Sequence, residues 1–314
     1  METILITGGS GLIGTSLCEL LADRGHQVIV LTRSPSSAKR KFDPAIKNIS
    51  FAAWNIDKGN IDEDAILRAD HIVHLAGAGV ADKRWTRRRK KEIVNSRVKS
   101  SELLLNALKR TAHKVKTVAS ASAIGWYGPD PSIPNPHPFR ESDPADNHFL
   151  GETCRLWEQS IQPVTDLGIR LVILRAGMVF SAKGGAFPAF KNPLKFGIAP
   201  ILGNGRQVVS WIHIDDICRL YLAALERADM RGVYNAVAPE PVNNKTLTQT
   251  IAHFFRGKNF ISFHTPRFAI KIALGEMSVE VLKSATVSCD KLRDAGFHFL
   301  YPSLDSALNA LKNS

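Results

Sequence analysis

At 314 residues, with 44% hydrophobic and 22% charged residues, the chain is long enough for a large α/β domain plus a smaller lobe. No apolar run approaches the roughly 18 residues that a spanning helix needs, and Met1 and Glu2 lead directly into a strand with no leader pattern, so a cytoplasmic protein is expected. The net charge of +12 draws part of its excess from "DKRWTRRRKKE" (82–92), which reads first as a solvated helix face and alternatively as an anionic-ligand surface. Nucleic acid is disfavoured, because the run has no interleaved aromatics beyond Trp85.

"TILIT" (3–7) is a short β-rich run, and Gly8, Gly11 and Gly14 follow it in a GxxGxxG pattern with Gly9 as an extra glycine. Ile13, Leu17, Leu20 and Leu21 then recur at the spacing of one buried helix face, with Gly25 as its C-terminal stop. A strand that turns sharply into a helix lets backbone approach a phosphate, and the helix start supplies unpaired N–H groups. Gly8, Gly9, Ser10, Gly11, Leu12, Ile13 and Gly14 are therefore the expected pyrophosphate seat. "QVIVLT" (27–32) is the second strand. NAD binders usually end that strand on a carboxylate, but here Thr32, Arg33 and Ser34 follow and the first acid is Asp43, so a 2′-phosphate and hence NADP(H) is expected.

Further strands are expected at "HIVHLAG" (71–77), "KTVASAS" (116–122) and "RLVILRAG" (170–177), separated by helices at 91–110 and 153–168. "DPSIPNPHPF" (130–139) must be an extended loop, and the Gly/Pro-rich stretch 182–205 opens the second lobe. Near-continuous apolar strands indicate a sheet covered on both faces. The expected fold is α/β: a Rossmann-type doubly wound parallel sheet with a smaller, mostly helical substrate lobe. Residues 1–180, completed by about 206–236, form the first unit; 181–205 and 237–314 form the second. Cys18, Cys154, Cys218 and Cys289 are scattered, which predicts buried free thiols and neither a metal site nor disulfides.

"TGGSGLIG", "HLAGAG", "SASAIGWYG", "LRAGMVF" and "GRQVVSWIHIDDI" occur in the order found in extended short-chain dehydrogenases/reductases, which the chain resembles over essentially its whole length. "ADKRWT", "NSR" and "GEMSVEVL…LRDAGFHFLYPSLDSAL" resemble an epimerase-family bacterial subgroup, with about 265–314 as the subgroup's C-terminal segment. The resemblance implies that Leu75, Ala76 and Gly77 pass under the pyrophosphate and ribose, and that Ala176, Gly177 and Met178 approach the nicotinamide. For both trios, ordinary strand-end turn chemistry is the alternative reading. Arg97 of "NSR" is placed at the cofactor or an anionic substrate, against a surface ion pair. Asp215 and Asp216 read as helix-capping or structural residues. Relatives often dimerise through helices beside the central strands, so a homodimer is open, with no interface legible in this chain.

Epimerases of this superfamily combine a Ser/Thr with a Tyr and a Lys four residues later, whose ammonium lowers the phenol pKa. Pro131, Leu225, Ala238 and Asp305 stand four residues after Tyr127, Tyr221, Tyr234 and Tyr301, so the chain has no YxxxK. The equivalent positions fall at about Leu150 and Cys154, and Ser122 is the one counterpart, as a candidate catalytic hydroxyl. Tyr127, His148 and Glu152 are nearby, each of the last two reading first as a solvated polar residue. The expected function is an NADP(H)-binding oxidoreductase or epimerase-like protein for a small polar or nucleotide-sugar-like substrate. The alternative is a non-catalytic NADP(H)-binding sensor or scaffold.

Overall fold

The apolar runs of the first 180 residues become neighbouring parallel strands, because each strand alternates its side chains between two helix-covered faces. The computed structural model describes residues 1–313. It begins with β1 (Thr3–Thr7), α1 (Leu12–Asp23), β2 (Gln27–Thr32), α2 (Pro35–Lys39), β3 (Ile49–Asn55), β4 (Asn60–Ile61), α3 (Glu63–Arg68) and β5 (His71–His74). Next come α4 (Arg87–Arg110), β6 (Thr117–Ala123), α5 (Phe149–Ile161), β7 (Arg170–Ala176), β8 (Met178–Ser181), β9 (Gly184–Gly185), α6 (Phe187–Leu194) and β10 (Ile198–Leu202). After them lie β11 (Val208–Val209), β12 (Trp211–His213), α7 (Ile214–Glu226), β13 (Gly232–Ala236), β14 (Val242–Asn243), α8 (Asn244–Arg256) and β15 (Ile261–Thr265). Helices α9 (Arg267–Leu274), α10 (Ser278–Leu282), α11 (Asp290–Asp294) and α12 (Leu304–Asn313) end the described chain.

The main sheet runs β13-β7-β6-β5-β1-β2-β3-β4, parallel except where β4 turns back on β3. Ile4, Ile6, Val28 and Val30 face Leu17 and Leu21 of α1 and Ile217 and Leu220 of α7. The alternate residues Leu5, Ile29, Leu31 and Ile72 face Ala65 and Ile66 of α3 and Leu104 and Leu108 of α4. Each such burial contributes about 1.5–3 kcal/mol relative to exposure, so the alternation fixes the strand register. A separate cluster of Phe180, Phe187, Trp211, Leu247, Ile251 and Leu308 builds the second lobe, with Phe180 stacked on Trp211 at 5.3 Å.

Some local readings change. The third predicted strand stops at His74, leaving Leu75, Ala76 and Gly77 in the turn beyond it. Helix α4 starts at Arg87, four residues earlier than its apolar pattern, because Thr86 caps it by accepting the Arg89 amide at 3.1 Å. The basic run is therefore the first turns of α4. Arg87, Arg88 and Lys91 are exposed, while Arg89 is buried and donates to the Gly79 carbonyl at 2.5 Å. Strand β3 has no counterpart among the predicted strands; its exposed Ser50 and Ala53 break the apolar run.

The last 50 residues bind back onto the sheet half. Asp130 accepts from Ser284 Oγ at 2.7 Å and from the Thr286 amide and hydroxyl. Buried Asp216 accepts the Leu300 and Tyr301 amides at 2.7 and 2.9 Å, a structural role, and the α7 cap is His213. Arg84 donates to the Ile272 carbonyl, and Lys90 pairs with Glu276, so the basic run also holds α9 and the turn behind it. All four cysteines are buried and free. Among the described residues, no helix is long and apolar enough to cross a membrane, and no His/Cys/Asp/Glu cluster is arranged for a metal ion.

Candidate dinucleotide groove and cleft

Parallel pairing brings the ends of β1, β2, β5, β6 and β7 to one edge of the sheet. At that edge the connections from β1 and β5 diverge, the crevice where open α/β sheets take ligands. Gly8 leaves β1 at φ 68°, and a β-carbon there would lie 2.8 Å from the carbonyl of Leu75. Only glycine both adopts that backbone and admits the neighbouring strand end so closely. A β-carbon on Gly14 would meet the Gly8 oxygen at 2.4 Å, so α1 enters directly against the loop. Gly11 caps α1 with no side-chain partner, which leaves the first helical amides free to face an anion.

A buried relay fixes the two loops relative to each other. The amides of Leu75 and Ala76 donate to Thr7 Oγ1 at 3.1 and 3.2 Å, so the Thr7 proton points to His74 Nδ1, 2.8 Å away. His74 consequently carries its proton on Nε2, facing the hydroxyls of Ser101 and Ser100 at 3.2 and 3.3 Å. Those serines donate in turn to the Arg97 carbonyl at 3.0 and 2.8 Å. Burial pushes His74 down to about 4, which keeps it neutral.

Arg97 is the unusual cation of the groove. It is 8% exposed, and Nη1 donates to the carbonyls of Ala78 and Ile93 at 3.0 and 2.9 Å. Its Cζ lies 3.1 Å from where a Gly77 β-carbon would be and 4.8 Å from the centre of the Trp157 ring. No carboxylate pairs with it among the described residues, and burial lowers its pKa. The surface ion-pair alternative is thus replaced by a buried, uncompensated guanidinium beneath the strand-end turn.

At the end of β2, Arg33 is exposed and carries no internal partner among the described residues, so its guanidinium is free for a ligand. Asp43, the first acid after β2, accepts the Ala45 amide at 2.8 Å within its own turn. Lys41, not singled out in the sequence, reaches back to donate to the Ser10 carbonyl at 2.9 Å. The cation-rich "SSAKRK" stretch was its only signal.

Ala123 and Ala176 stand side by side in register at the ends of β6 and β7, and the Gly177 amide donates to the Ala236 carbonyl at 3.0 Å while Met178 opens β8. Ser122 faces the other way. Its hydroxyl donates to Glu158 Oε1 of α5 at 2.6 Å, and Glu158 holds Arg175 through both oxygens at 2.8 and 2.9 Å. Arg175 stacks on Trp126 at 3.6 Å and donates to the Tyr127 hydroxyl at 3.0 Å, while Tyr127 donates to Asn235 at 2.6 Å. Tyr127 is fully buried, and burial pushes its phenol up to about 12. The expected catalytic hydroxyl is therefore committed to a buried ion pair. Leu150 and Cys154 occupy the helix face that would carry the tyrosine and lysine, packed against Gly125 and beside the Ala123 carbonyl.

Beyond this edge a cavity of about 490 Å³ opens between the loop after Tyr127 and the C-terminal helices; Asp146, His148, Arg267, Lys271, Glu280 and Lys283 are among the residues lining it. Lys283 pairs with Glu280 at 2.6 Å and donates to the Tyr127 carbonyl at 3.1 Å. The cations at 267–283 were not legible as site residues, because only the tertiary fold brings that segment to the cleft.

A glycine turn at the switch point of a parallel sheet, with a second lobe facing its carboxyl edge, defines an NAD(P)-binding fold. The chain belongs to the NAD dependent epimerase/dehydratase family, whose pattern matches residues 4–237, and residues 265–311 match a domain of unknown function, DUF1731. It is 35% identical over 313 residues to an epimerase family protein of Staphylococcus saprophyticus, covering 99% of both chains. It is 33% identical to epimerase family protein YfhF of Bacillus subtilis, covering 98% of this chain and 97% of that one. Among solved structures it is similar to human epimerase family protein SDR39U1 with NADPH, at TM-score 0.85, 27% identity and 99% coverage of each chain.

Proposed function

We propose that the chain binds NADP(H) in this groove and acts as an oxidoreductase or epimerase-like enzyme on a small polar or nucleotide-sugar-like substrate in the adjoining cleft. The observation that carries the cofactor choice is the end of β2, where Arg33 and Lys41 stand and the first acid, Asp43, accepts within its own turn. A guanidinium and an ammonium fit a 2′-phosphate and leave a free ribose hydroxyl without its usual acceptor. The NADPH in the human relative's structure supports the same choice.

Gly8–Gly14 would hold the pyrophosphate, and Leu75, Ala76 and Gly77 with Arg97 would floor the ribose. Ala123, Ala176, Gly177 and Met178 would border the nicotinamide, which supplies hydride chemistry when bound. This chain's residues would orient it, and the α5 face carries Leu150 and Cys154 where a tyrosine and lysine would stand, with Ser122 turned to Glu158. The absence of that pair is what favours the second reading, an NADP(H)-binding sensor or scaffold.

A crystal soaked with NADPH tests the placement. The account expects the 2′-phosphate within hydrogen-bond reach of Arg33 and the nicotinamide beside Ala123. An adenosine end away from β2 would refute it.

A further inference from the structure

We propose that Asp146 and His148 form the proton-transfer pair of the cleft, with His148 Nε2 as the atom that exchanges a proton with a substrate oxygen. This rests on the reading that NADP(H) occupies the neighbouring groove. The argument begins by elimination. Tyr127 is enclosed by Arg175 and Asn235, Tyr221 is buried on the inner face of α7, and Tyr234 is buried on the outermost parallel strand with Lys291 over its ring at 4.4 Å. Tyr301 packs on His213, ring centres 4.1 Å apart, and Cys154 is buried, its thiol pushed up to about 11. Ser122 serves Glu158.

What remains at the cavity is a short list. Glu280 of α10 pairs with Lys283, the residue that caps it, at 2.6 Å, and Arg267 and Lys271 of α9 are basic side chains with no acceptor role. On its own helix Glu152 is turned to Arg155 at 2.5 Å, which holds its carboxyl below the usual range. That leaves His148 among the side chains lining the cavity.

Its geometry suits the work. Asp146 lies 3.0 Å from His148 Nδ1 through Oδ2 and 3.1 Å through Oδ1, and it also accepts the His148 amide at 3.2 Å. Asp146 is itself anchored, since its amide donates to the Trp126 carbonyl at 2.7 Å. Gly151 gives its backbone room, because a β-carbon there would strike the Asp146 carbonyl. A carboxylate on Nδ1 selects the Nδ1–H tautomer and leaves Nε2 unpartnered among the described residues at the cavity wall. His148 caps α5 two residues before Leu150, whose side chain abuts Gly125 just past the end of β6, and it lines the cavity.

In the reducing direction, hydride from NADPH reaches the carbonyl carbon and leaves NADP⁺. The carbonyl π pair moves to oxygen, an O–H bond forms as the His148 Nε2–H bond breaks, and imidazolium becomes neutral imidazole. Asp146 keeps its hydrogen bond throughout. Oxidation of an alcohol runs the same exchange backwards.

The test uses 9,10-phenanthrenequinone as a carbonyl probe, with NADPH consumption followed from pH 5 to 9 for the wild type, His148→Gln and Asp146→Asn. NADPH affinity is measured for each protein, and His148 is titrated by NMR in the cofactor-free proteins. The expected result is a wild-type rate that falls as pH rises, at the NMR midpoint of His148. Asp146→Asn should move both midpoints down together. His148→Gln should lose roughly 100-fold in rate and the pH dependence, with NADPH affinity kept. A His148→Gln protein with the wild-type rate or profile overturns the proposal, as does a wild type that binds NADPH and passes no hydride to the quinone. A wild type that fails to bind NADPH overturns the cofactor reading instead.

Discussion

The side chain of Arg97 packs so close to Gly77 that a β-carbon on the glycine would stand 3.1 Å from Arg97 Cζ. A buried cation with no counter-ion is held at a cost that a bound anion relieves. Arg97→Met should therefore weaken NADPH binding by roughly tenfold to hundredfold, the range of a charge-assisted contact. It should leave the melting temperature of the free protein unchanged or raised. Calorimetric titration together with thermal melts with and without NADPH separates the two effects. A variant that melts lower yet binds NADPH normally would assign Arg97 to the core alone.

The Thr7–His74 bond sets a pH limit. His74 is neutral in the fold, pushed down to about 4 by burial from an ordinary value of 6.5. Between those values the unfolded chain binds a proton that the folded chain refuses, so the contribution is complete above pH 6.5. It is lost as pH falls through about 4, on the order of 3 kcal/mol in all. Urea titrations at pH 7, 5.5 and 4.5 should show stability falling in that order. His74→Gln, which removes the titration, should flatten part of that slope. An unchanged slope would place the acid sensitivity elsewhere.

Arg33 projects from the end of β2 with Lys41 nearby. Arg33→Ala should reduce NADPH affinity roughly tenfold while NADH affinity stays within about twofold, because a guanidinium–phosphate contact is lost and no ribose contact is. Lys41→Ala should act in the same direction more weakly. Parallel fluorescence titrations with the two cofactors measure the ratio. Equal losses for both would move the 2′-phosphate away from Arg33.

Glu158 and Arg175 form a pair with side chains 9% and 2% exposed. Removing one partner strands the other charge, so Glu158→Ala should cost about 3–5 kcal/mol of unfolding free energy. Ser122→Ala removes a single hydrogen bond to that carboxylate and should cost about 1–3 kcal/mol. Denaturant melts provide both numbers. A Ser122→Ala protein of unchanged stability would release that hydroxyl from the structural network.

Local structure that a short stretch of chain encodes was legible. Gly8 to Gly14 must turn between a strand and a helix, and Arg33 follows its strand directly, so both could be placed from local pattern. The Thr7–His74 bond spans 67 positions, and Glu158 finds Arg175 across 17. No periodicity announces such pairs, so the bond from Ser122 to Glu158 is invisible in the sequence. Strand β3 escaped for a different reason: its partly exposed positions weaken the apolar signal on which strand assignment depends. The cations of the cleft lie in the segment 267–283, whose place is set by long-range bonds from Asp130, Arg84 and Lys90.

Direct calorimetric titration of the purified chain with NADPH and with NADH is the most searching measurement. The account predicts micromolar or tighter binding of NADPH and at least about tenfold weaker binding of NADH. Equal affinity for the two, or no uptake of NADPH at all, would contradict it.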